Sequence, residues 1–339
     1  MEAKPVLEQL IRGEDLNSEQ ATRLMHQIMD GALSHSQMAA FLVALRMKKE
    51  TVAEIASFAK VMREKSTKIP INDPSLVDTC GTGGDSSGSF NISTTVALLL
   101  AGAGYKVAKH GNRSMTSKSG SADVLEALGV NLELNPQQVA DCIDKTNIGF
   151  LFAPSLHGAM KNVGPVRKDL AVRTVFNLLG PLTNPAGANV QIVGLFESSF
   201  VPLIIRVLRE LGSTSAYVFS GLSGLDEVCI SSNTAVGHLN KNGEIREFTF
   251  NPEEYGFTKE PLNSIKGGSP QQNAEITKGI LKNDIKGPMR DIVILNTGFA
   301  ISAADHCDLK QGFEKAEQFL NDGAGIRSLE QLAAISNSF

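Results

Sequence analysis

The chain has 339 residues, of which 42% are hydrophobic and 20% charged, and its net charge is −4 at pH 7. This is the composition of an ordinary globular protein with a large core, and the acidic balance argues against a general nucleic-acid binder. Four cysteines without a C-x-x-C pair exclude a disulfide framework or a cysteine zinc site, and no apolar run is long enough to span a membrane. Residues 1–16 show no signal-peptide pattern, so we expect a cytoplasmic protein.

Residues 1–70 carry only helix signals. Asn17, Ser34 and Thr51 each stand three residues before a Gln or Glu, which is the spacing of a capping box at the start of a helix. The segment 38–47 is apolar on nearly all sides, so we expect it to be buried or to pack on a partner. The sequence therefore predicts a small all-helical domain, followed by a proline-containing linker over residues 68–74.

After residue 74, short apolar segments alternate with helical ones. Residues 235–240 and 245–250 flank an Asn-Gly dipeptide, a strong hairpin signal. We predict further strands over residues 76–79, 105–109, 149–153, 190–196, 216–220 and 291–295. The alternation predicts an α/β domain over residues 74–339, with a mostly parallel central sheet flanked by helices.

The clearest chemical signal follows the first of these strands. Residues 81–88, GTGGDSSG, separate the strand from a strongly apolar helix. Glycines let backbone N–H groups approach an oxyanion, and the helix N-terminus adds unpaired N–H groups and a positive dipole end. No acidic residue lies between Asp85 and Asp123, whereas Lys106, Lys109, Arg113 and Lys118 all do. This combination predicts a polyphosphate site.

The glycine spacing matches neither a P-loop nor a dinucleotide-binding fingerprint. Asp85 is unusual in a loop that binds only phosphate, and it indicates that the loop also faces sugar hydroxyls or a hydrated metal ion. A flexible surface loop is the alternative that the Gly/Ser composition alone would support. Cys80 adjoins the loop, and we expect it to be a small buried hydrophobe rather than a nucleophile.

Two further groups of polar residues follow predicted strands. Residues 109–117 with Ser121 come at the end of one strand, and the adjacent carboxylates Asp226 and Glu227 follow another. Ligands bind at the carboxyl ends of strands in open parallel sheets, so these groups and the glycine-rich loop are predicted to converge. Mg²⁺ prefers a few carboxylates together with phosphate oxygens and water, which suits Asp226 and Glu227; a solvated turn is the alternative.

Four motifs carry a resemblance to a known family. They are GTGGD, NIST, KHGNR and NLLGPLTNP, at residues 81–85, 91–94, 109–113 and 177–185. In this order they resemble the anthranilate phosphoribosyltransferases, over essentially the whole chain. The resemblance implies the nucleoside phosphorylase/phosphoribosyltransferase-like architecture, in which helices from about residues 160–185 join the helical domain. It also implies a homodimer formed through that domain.

The activity that the resemblance implies is transfer of the 5-phosphoribosyl group from phosphoribosyl diphosphate to the amine of anthranilate, with Mg²⁺, in tryptophan biosynthesis. Anthranilate is placed near Gly81, Asn112, Arg167, His110 and His157, and the metal at Ser93, Asp226 and Glu227. Phosphoribosyl diphosphate is placed at Gly81, Gly84, Asp85, Ser89, Asn91, Ile92, Ser93, Thr94, Lys109, His110, Gly111, Asn112, Arg113, Ser114, Met115, Thr116, Ser117 and Ser121.

Individual roles follow from the chemistry of these groups. Arg167 would hold the carboxylate of anthranilate in a bidentate fork, or else be an ordinary surface arginine. The aromatic amine is already neutral at pH 7, so no strong base is needed and no catalytic residue is assigned with certainty. His110 is a candidate proton relay, with a structural hydrogen-bonding role as the alternative.

Two other functions compete with this interpretation. A pyrimidine nucleoside phosphorylase shares the architecture but needs a phosphate site and a base pocket without a diphosphate–metal site, so Asp226 and Glu227 favour the transferase. A nucleic-acid-binding relative would need a basic stripe and a degraded glycine loop. The intact loop and the acidic balance argue against that relative, and we expect neither a nucleic-acid nor a membrane partner.

Overall fold

The computed structural model describes residues 3–85, 87–114 and 118–339, which form one seven-stranded sheet and its surrounding helices. The strands are β1 (Val77–Thr79), β2 (Val107–Gly111), β3 (Ile148–Phe152), β4 (Val190–Gly194), β5 (Ser215–Gly221), β6 (Thr234–Leu239) and β7 (Ile245–Phe250). The helices are α1 (Ala3–Ile11), α2 (Ser18–Met29), α3 (His35–Lys48), α4 (Val52–Lys65), α5 (Ile92–Gly102), α6 (Ser121–Ala127), α7 (Pro136–Thr146), α8 (Ala153–Leu156), α9 (Gly164–Leu170), α10 (Phe176–Leu179), α11 (Val201–Glu210), α12 (Pro270–Leu281), α13 (Pro288–Asp305), α14 (Leu309–Asn321) and α15 (Ala324–Ser336).

Helices α2, α3 and α4 begin where their caps predict. Asn17, Ser34 and Thr51 each accept a hydrogen bond from the backbone N–H three residues later, and that residue's side chain accepts one in return. The three predicted capping boxes are therefore confirmed. The helices share an apolar core around Phe58, which later residues such as Phe176 also enter. Complete burial of one such ring contributes about 2 kcal/mol to folding.

The sheet has the strand order β3-β2-β1-β4-β5-β6-β7. Strands β1 to β5 pair in parallel, and β6 and β7 continue the sheet as an antiparallel hairpin. A small helical part beside a mostly parallel, helix-flanked sheet was the predicted fold class, and it is confirmed. The chain leaves β1 in one direction to β2 and β3, and later returns on the other side as β4. The carboxyl ends of β1 and β4 therefore border the switch point, where open α/β sheets bind ligands.

One predicted strand is wrong. Residues 291–295 were expected to form a strand but lie within α13, most of whose residues are buried. A short apolar run does not distinguish a strand from a buried helix, and here Pro288 begins a helix instead. The helices expected within about residues 160–185 include α9 and α10, and Ala171, whose backbone is left-handed, ends α9 between them.

No helix among the described residues has both the length and the apolar character needed to cross a membrane.

Candidate active site

The segment between β1 and α5, residues 80–91, is called the glycine loop below; Ser86 lies outside the described residues. Its first residues continue the pairing with β4, because the Thr82 N–H donates to Gly194 O over 2.9 Å. Gly83 and Gly84 then adopt φ angles of 64° and 72°. Side chains with a Cβ rarely adopt these angles, so glycine is required for the sharp turn here. The loop therefore lies at the switch point of the sheet.

Asp226 and Glu227, which follow β5, contact this loop and the helix after it. Asp226 Oδ2 accepts a hydrogen bond from the Gly83 N–H over 2.7 Å, and Glu227 Oε1 accepts one from the Ser93 N–H over 3.2 Å. The Asp226 N–H lies 3.5 Å from Asp85 Oδ2. The structure thus brings together the glycine loop, the first turn of α5 and the carboxylate pair.

The electrostatics of the pair differ from those of a solvated turn. Asp226 and Glu227 are both partly exposed, but the surrounding protein removes most of the hydration of their carboxylates. Burial raises the pKa of both carboxylates; Asp85 adds repulsion at Asp226, and Asp226 and Asp85 add repulsion at Glu227. The Lys109 ammonium is the compensating charge that acts on Glu227. Ionisation of the pair is therefore costly unless a cation lies beside it.

Lys109 lies beneath the helix start and is 1% exposed. Its Nζ donates to Thr79 O over 2.6 Å and to Ser93 Oγ over 3.3 Å. A buried ammonium needs such partners, because an unpaired one would be costly. In this structure the side chain therefore supports Ser93 from below.

The residues fit a magnesium ion. Ser93 Oγ and the two carboxylates are hard oxygen donors, and a cavity of about 10 Å³ lies among Gly81, Ser93 and Glu227. That volume suits one water-sized occupant. Carboxylates that ionise at a cost without a counter-charge favour a cation nearby. Protein sites for Mg²⁺ use few carboxylates and leave positions for phosphate oxygens and water.

In the described part of the chain, one other group of side chains has its potential metal-ligand atoms close together. It consists of Asp78, Cys80 and His110, whose ligand atoms lie within 4.8 Å of one another. Both oxygens of Asp78 already accept hydrogen bonds, from the His110 N–H and from Asn184 Nδ2. Burial raises the pKa of the Cys80 thiol, which makes it a poor nucleophile. We therefore interpret this group as structural.

The predicted basic cluster is only partly available. The Arg113 guanidinium donates to Asp123 and to Glu126, so two carboxylates compensate its charge. Ser121 Oγ donates to Asn112 O over 3.3 Å. The predicted contacts at Met115, Thr116 and Ser117 lie outside the described residues. Much of the positive charge that the sequence window suggested is therefore already neutralised.

His110 and His157 form a buried pair, with 3.2 Å between their Nε2 atoms. Burial lowers the pKa of His110 to about 3 and that of His157 to about 4, and for His110 the second ring adds repulsion. Both rings are therefore neutral at pH 7, and one Nε2 donates to the other. This geometry suits a structural or ligand-orienting pair at least as well as a relay.

The segment between α8 and α10 carries two arginines that face the site region or the glycine loop, Arg167 and Arg173. The Arg167 guanidinium lies 5.5 Å from the Phe176 ring centroid and forms no ion pair within the described residues, and burial lowers its pKa. A half-buried cation without a carboxylate is suited to an anionic ligand. Arg173 Nη2 donates to Gly84 O over 2.6 Å. Sequence analysis missed Arg173, because its contact spans 89 positions and leaves no local pattern.

Comparison with known proteins agrees with this fold. The profile described as "Glycosyl transferase family, helical bundle domain" matches residues 4–66, and that described as "Glycosyl transferase family, a/b domain" matches residues 73–326. The chain is thus a glycosyl transferase of the class that joins a helical bundle to an α/β domain. Its relatives narrow the class further.

An anthranilate phosphoribosyltransferase of Methylococcus capsulatus is 49% identical over all of this chain and 99% of its own. The crystal structure of the Thermus thermophilus enzyme is 40% identical, with a TM-score of 0.93, over 99% of this chain and all of that one. The Saccharomyces cerevisiae enzyme in complex with PRPP and Mg is 28% identical, with a TM-score of 0.90, over 99% and 98%. The protein belongs to the anthranilate phosphoribosyltransferase family. This confirms the predicted enzyme class and favours neither alternative function.

Proposed function

We propose that the protein transfers the 5-phosphoribosyl group of phosphoribosyl diphosphate to the amine of anthranilate. The products are N-(5-phosphoribosyl)anthranilate and diphosphate, and the reaction belongs to tryptophan biosynthesis. The observation that carries the proposal is the convergence of the glycine loop with Asp226 and Glu227 at the switch point. A loop of backbone N–H groups beside paired carboxylates suits a ligand with both a diphosphate and a metal ion.

The diphosphate and ribose would lie along the glycine loop and the first turn of α5. Asn91 caps this helix without a side-chain hydrogen bond to its first turn. The Ile92 and Ser93 N–H groups already donate to Phe90 O and Glu227 Oε1, so within the described residues the Thr94 N–H is the first-turn donor left for an anion. The side chain of Asn91 instead contacts Ser119 and Asn273, which fixes the end of the loop. Ile92 is buried, so its contribution would come from its backbone.

Asp226, Glu227 and Ser93 would hold Mg²⁺, which the yeast relative is described as containing. When bound, the ion neutralises the negative charge that builds on the departing diphosphate. The chain's own contribution is the fixed position of these oxygens. Lys109 supports Ser93 Oγ and offsets the charge of Glu227.

Anthranilate would be oriented by Arg167, with His110 and His157 nearby. The guanidinium has no carboxylate partner of its own among the described residues, so the ortho carboxylate of the substrate supplies one. Neutral histidine rings suit the aromatic part of the substrate, because they bring no repulsive charge towards Arg167. The substrate amine forms a bond to C1 of the ribose as the C1–O bond to diphosphate breaks and the sugar gains oxocarbenium character. The nitrogen then releases one proton to solvent. Catalysis then consists mainly of positioning and electrostatic stabilisation.

The domain division and assembly are part of the proposal. Residues 1–70 with about 160–185 would act as the helical domain, and residues 74–339 as the α/β domain. Ile11, Val43 and Met47 are 65%, 36% and 80% exposed on α1 and α3, which contact each other. A second copy of the chain would cover this apolar surface, in a cytoplasmic enzyme. A Met47→Glu variant should sediment as a smaller species than the parent protein, and equal sedimentation would contradict this interface.

The activity itself is tested by mixing the protein with Mg²⁺, phosphoribosyl diphosphate and anthranilate and following the loss of anthranilate fluorescence. We expect the loss to require all three components. The contradictory result is no loss of fluorescence together with phosphate-dependent cleavage of a pyrimidine nucleoside, which would identify a phosphorylase.

A further inference from the structure

Arg173 connects the segment after α9 to the glycine loop. Its backbone carbonyl accepts a hydrogen bond from Arg46 Nη1 of α3 over 2.6 Å, so its main chain is fixed to the helical part. Its side chain extends to the other part of the molecule, where Nη2 donates to Gly84 O over 2.6 Å. A charged donor makes this a stronger hydrogen bond than one between neutral groups.

Phe196, just after β4, provides a surface on which the guanidinium lies. The Arg173 Cζ is 3.9 Å from the centroid of the Phe196 ring, which is within the range of a cation–π interaction. Phe196 is itself fixed, because its N–H donates to Thr82 Oγ1 and its ring packs edge-on against Phe200. The guanidinium is therefore oriented by the ring of a residue whose backbone is hydrogen-bonded to the glycine loop.

The hydrogen bond to Gly84 O determines how one peptide of the loop is oriented. The described peptides are all trans, so the N–H of Asp85 points opposite to the Gly84 carbonyl. Gly84 has a φ of 72° and no side chain, so little else restricts this peptide. Fixing the carbonyl towards Arg173 directs the Asp85 N–H to the opposite face of the loop.

We infer that Arg173 is a positioning residue that holds the glycine loop in its anion-binding shape from the segment that also carries Arg167. The inference rests on the proposed role of the loop as the phosphoribosyl diphosphate site. The order of the glycine loop then depends on the same segment that would hold anthranilate through Arg167. Arg173 acts through the Gly84 peptide and needs no contact with either substrate.

Hydrogen-exchange mass spectrometry of the substrate-free protein tests the contact directly. Arg173→Ala should raise exchange in peptides from residues 80–90 by about tenfold and leave α2 and α4 unchanged. Arg173→Lys keeps a charged donor without the planar group and should restore part of the protection. Arg209→Ala, an exposed arginine on α11, is the matched control and should leave the loop unchanged.

Steady-state kinetics complete the test. Arg173→Ala should raise the apparent KM for phosphoribosyl diphosphate by about tenfold and change the KM for anthranilate much less. Unchanged loop exchange would overturn the inference, and a raised KM with unchanged exchange would show instead that Arg173 contacts the substrate. Exchange is measured without substrate, so an inactive parent protein would overturn the proposed function and leave the Arg173 contact standing.

Discussion

Asp226 Oδ2 accepts a 2.7 Å hydrogen bond from the Gly83 N–H, across 143 positions of sequence. This bond joins the loop after β1 to the segment after β5, on the two sides of the switch point. The close approach has a steric requirement as well. A Cβ on Gly81 would lie 2.7 Å from the same Asp226 oxygen, and one on Gly194 would lie 1.6 Å from the Asp226 carbonyl oxygen.

Gly194→Ala should therefore damage the site through its backbone. The added methyl group overlaps the main chain of Asp226, which cannot move aside as a flexible side chain could. We expect a loss of about 3 kcal/mol in the free energy of unfolding, together with loss of transferase activity. Gly158→Ala is the control, because a methyl group added there would meet no atom within 4 Å. Equal urea midpoints for the two variants would contradict the steric argument.

Replacement of Lys109 should affect both stability and binding. Lys109→Met keeps the length of the side chain but leaves Thr79 O and Glu227 without their cation. Breaking such a buried arrangement costs about 3 kcal/mol, so thermal unfolding should occur at a lower temperature. Binding of phosphoribosyl diphosphate with Mg²⁺ should weaken more than binding of anthranilate. Calorimetric titration with each substrate measures the difference, and equal losses would argue against this role.

Arg167→Ala should separate substrate binding from chemistry. A guanidinium fork holds the anthranilate carboxylate in the ground state and the transition state alike, so its loss raises KM more than it lowers kcat. One charge-assisted pair is worth about 1.5–3 kcal/mol, which corresponds to a KM increase of about ten- to a hundredfold. Arg167→Lys should recover part of the loss, because an ammonium lacks the planar fork. An unchanged KM for anthranilate would remove Arg167 from the site.

The histidine pair predicts how stability depends on pH. The pKa of His110 is lowered to about 3 and that of His157 to about 4, whereas both titrate near 6.5 when unfolded. Below that pH the unfolded chain binds more protons, so stability is full above pH 6.5 and is lost as the pH falls towards 3. Each histidine contributes about 1.6 kcal/mol over this range, so we expect the pair to cost about 3 kcal/mol between pH 6.5 and pH 5.

The variant His110→Gln/His157→Gln should flatten this part of the stability profile, which chemical unfolding at each pH would measure. His35→Gln, at an exposed histidine, is the control and should keep the slope of the parent protein. A double variant that retained the full slope would show that other groups cause the acid sensitivity.

Local sequence patterns were sufficient to predict much of the fold. Capping boxes at Asn17, Ser34 and Thr51 begin helices because the cap chemistry is complete within four residues. The hairpin of β6 and β7 followed from its turn residues for the same reason. By contrast, the apolar run at 291–295 has no local feature that separates a buried helix from a strand, and only its packing in α13 decides between them.

The glycine loop and the carboxylate pair of the site could be predicted from the sequence, but the balance of charges around them could not. The sequence window after Asp85 contains four cations and no acid, yet Asp123 and Glu126 lie beyond it and compensate Arg113. The contacts of the Lys109 ammonium with Thr79 O and Ser93 Oγ were not part of the prediction, which gave it only a role at phosphoribosyl diphosphate. Arg173 reaches Gly84 only through the tertiary fold. Such long-range contacts leave no pattern in a single sequence.

The central claim is that Asp226 and Glu227 hold the metal that serves the diphosphate. The most direct measurement is the rate of anthranilate fluorescence loss across a range of Mg²⁺ concentrations, for the parent protein and for Asp226→Asn/Glu227→Gln. Both substitutions keep side-chain size and remove two poorly hydrated, mutually repelling charges, so the variant should stay folded. We expect the folded variant to show no turnover at any Mg²⁺ concentration. Activity near that of the parent protein across the range would contradict the account.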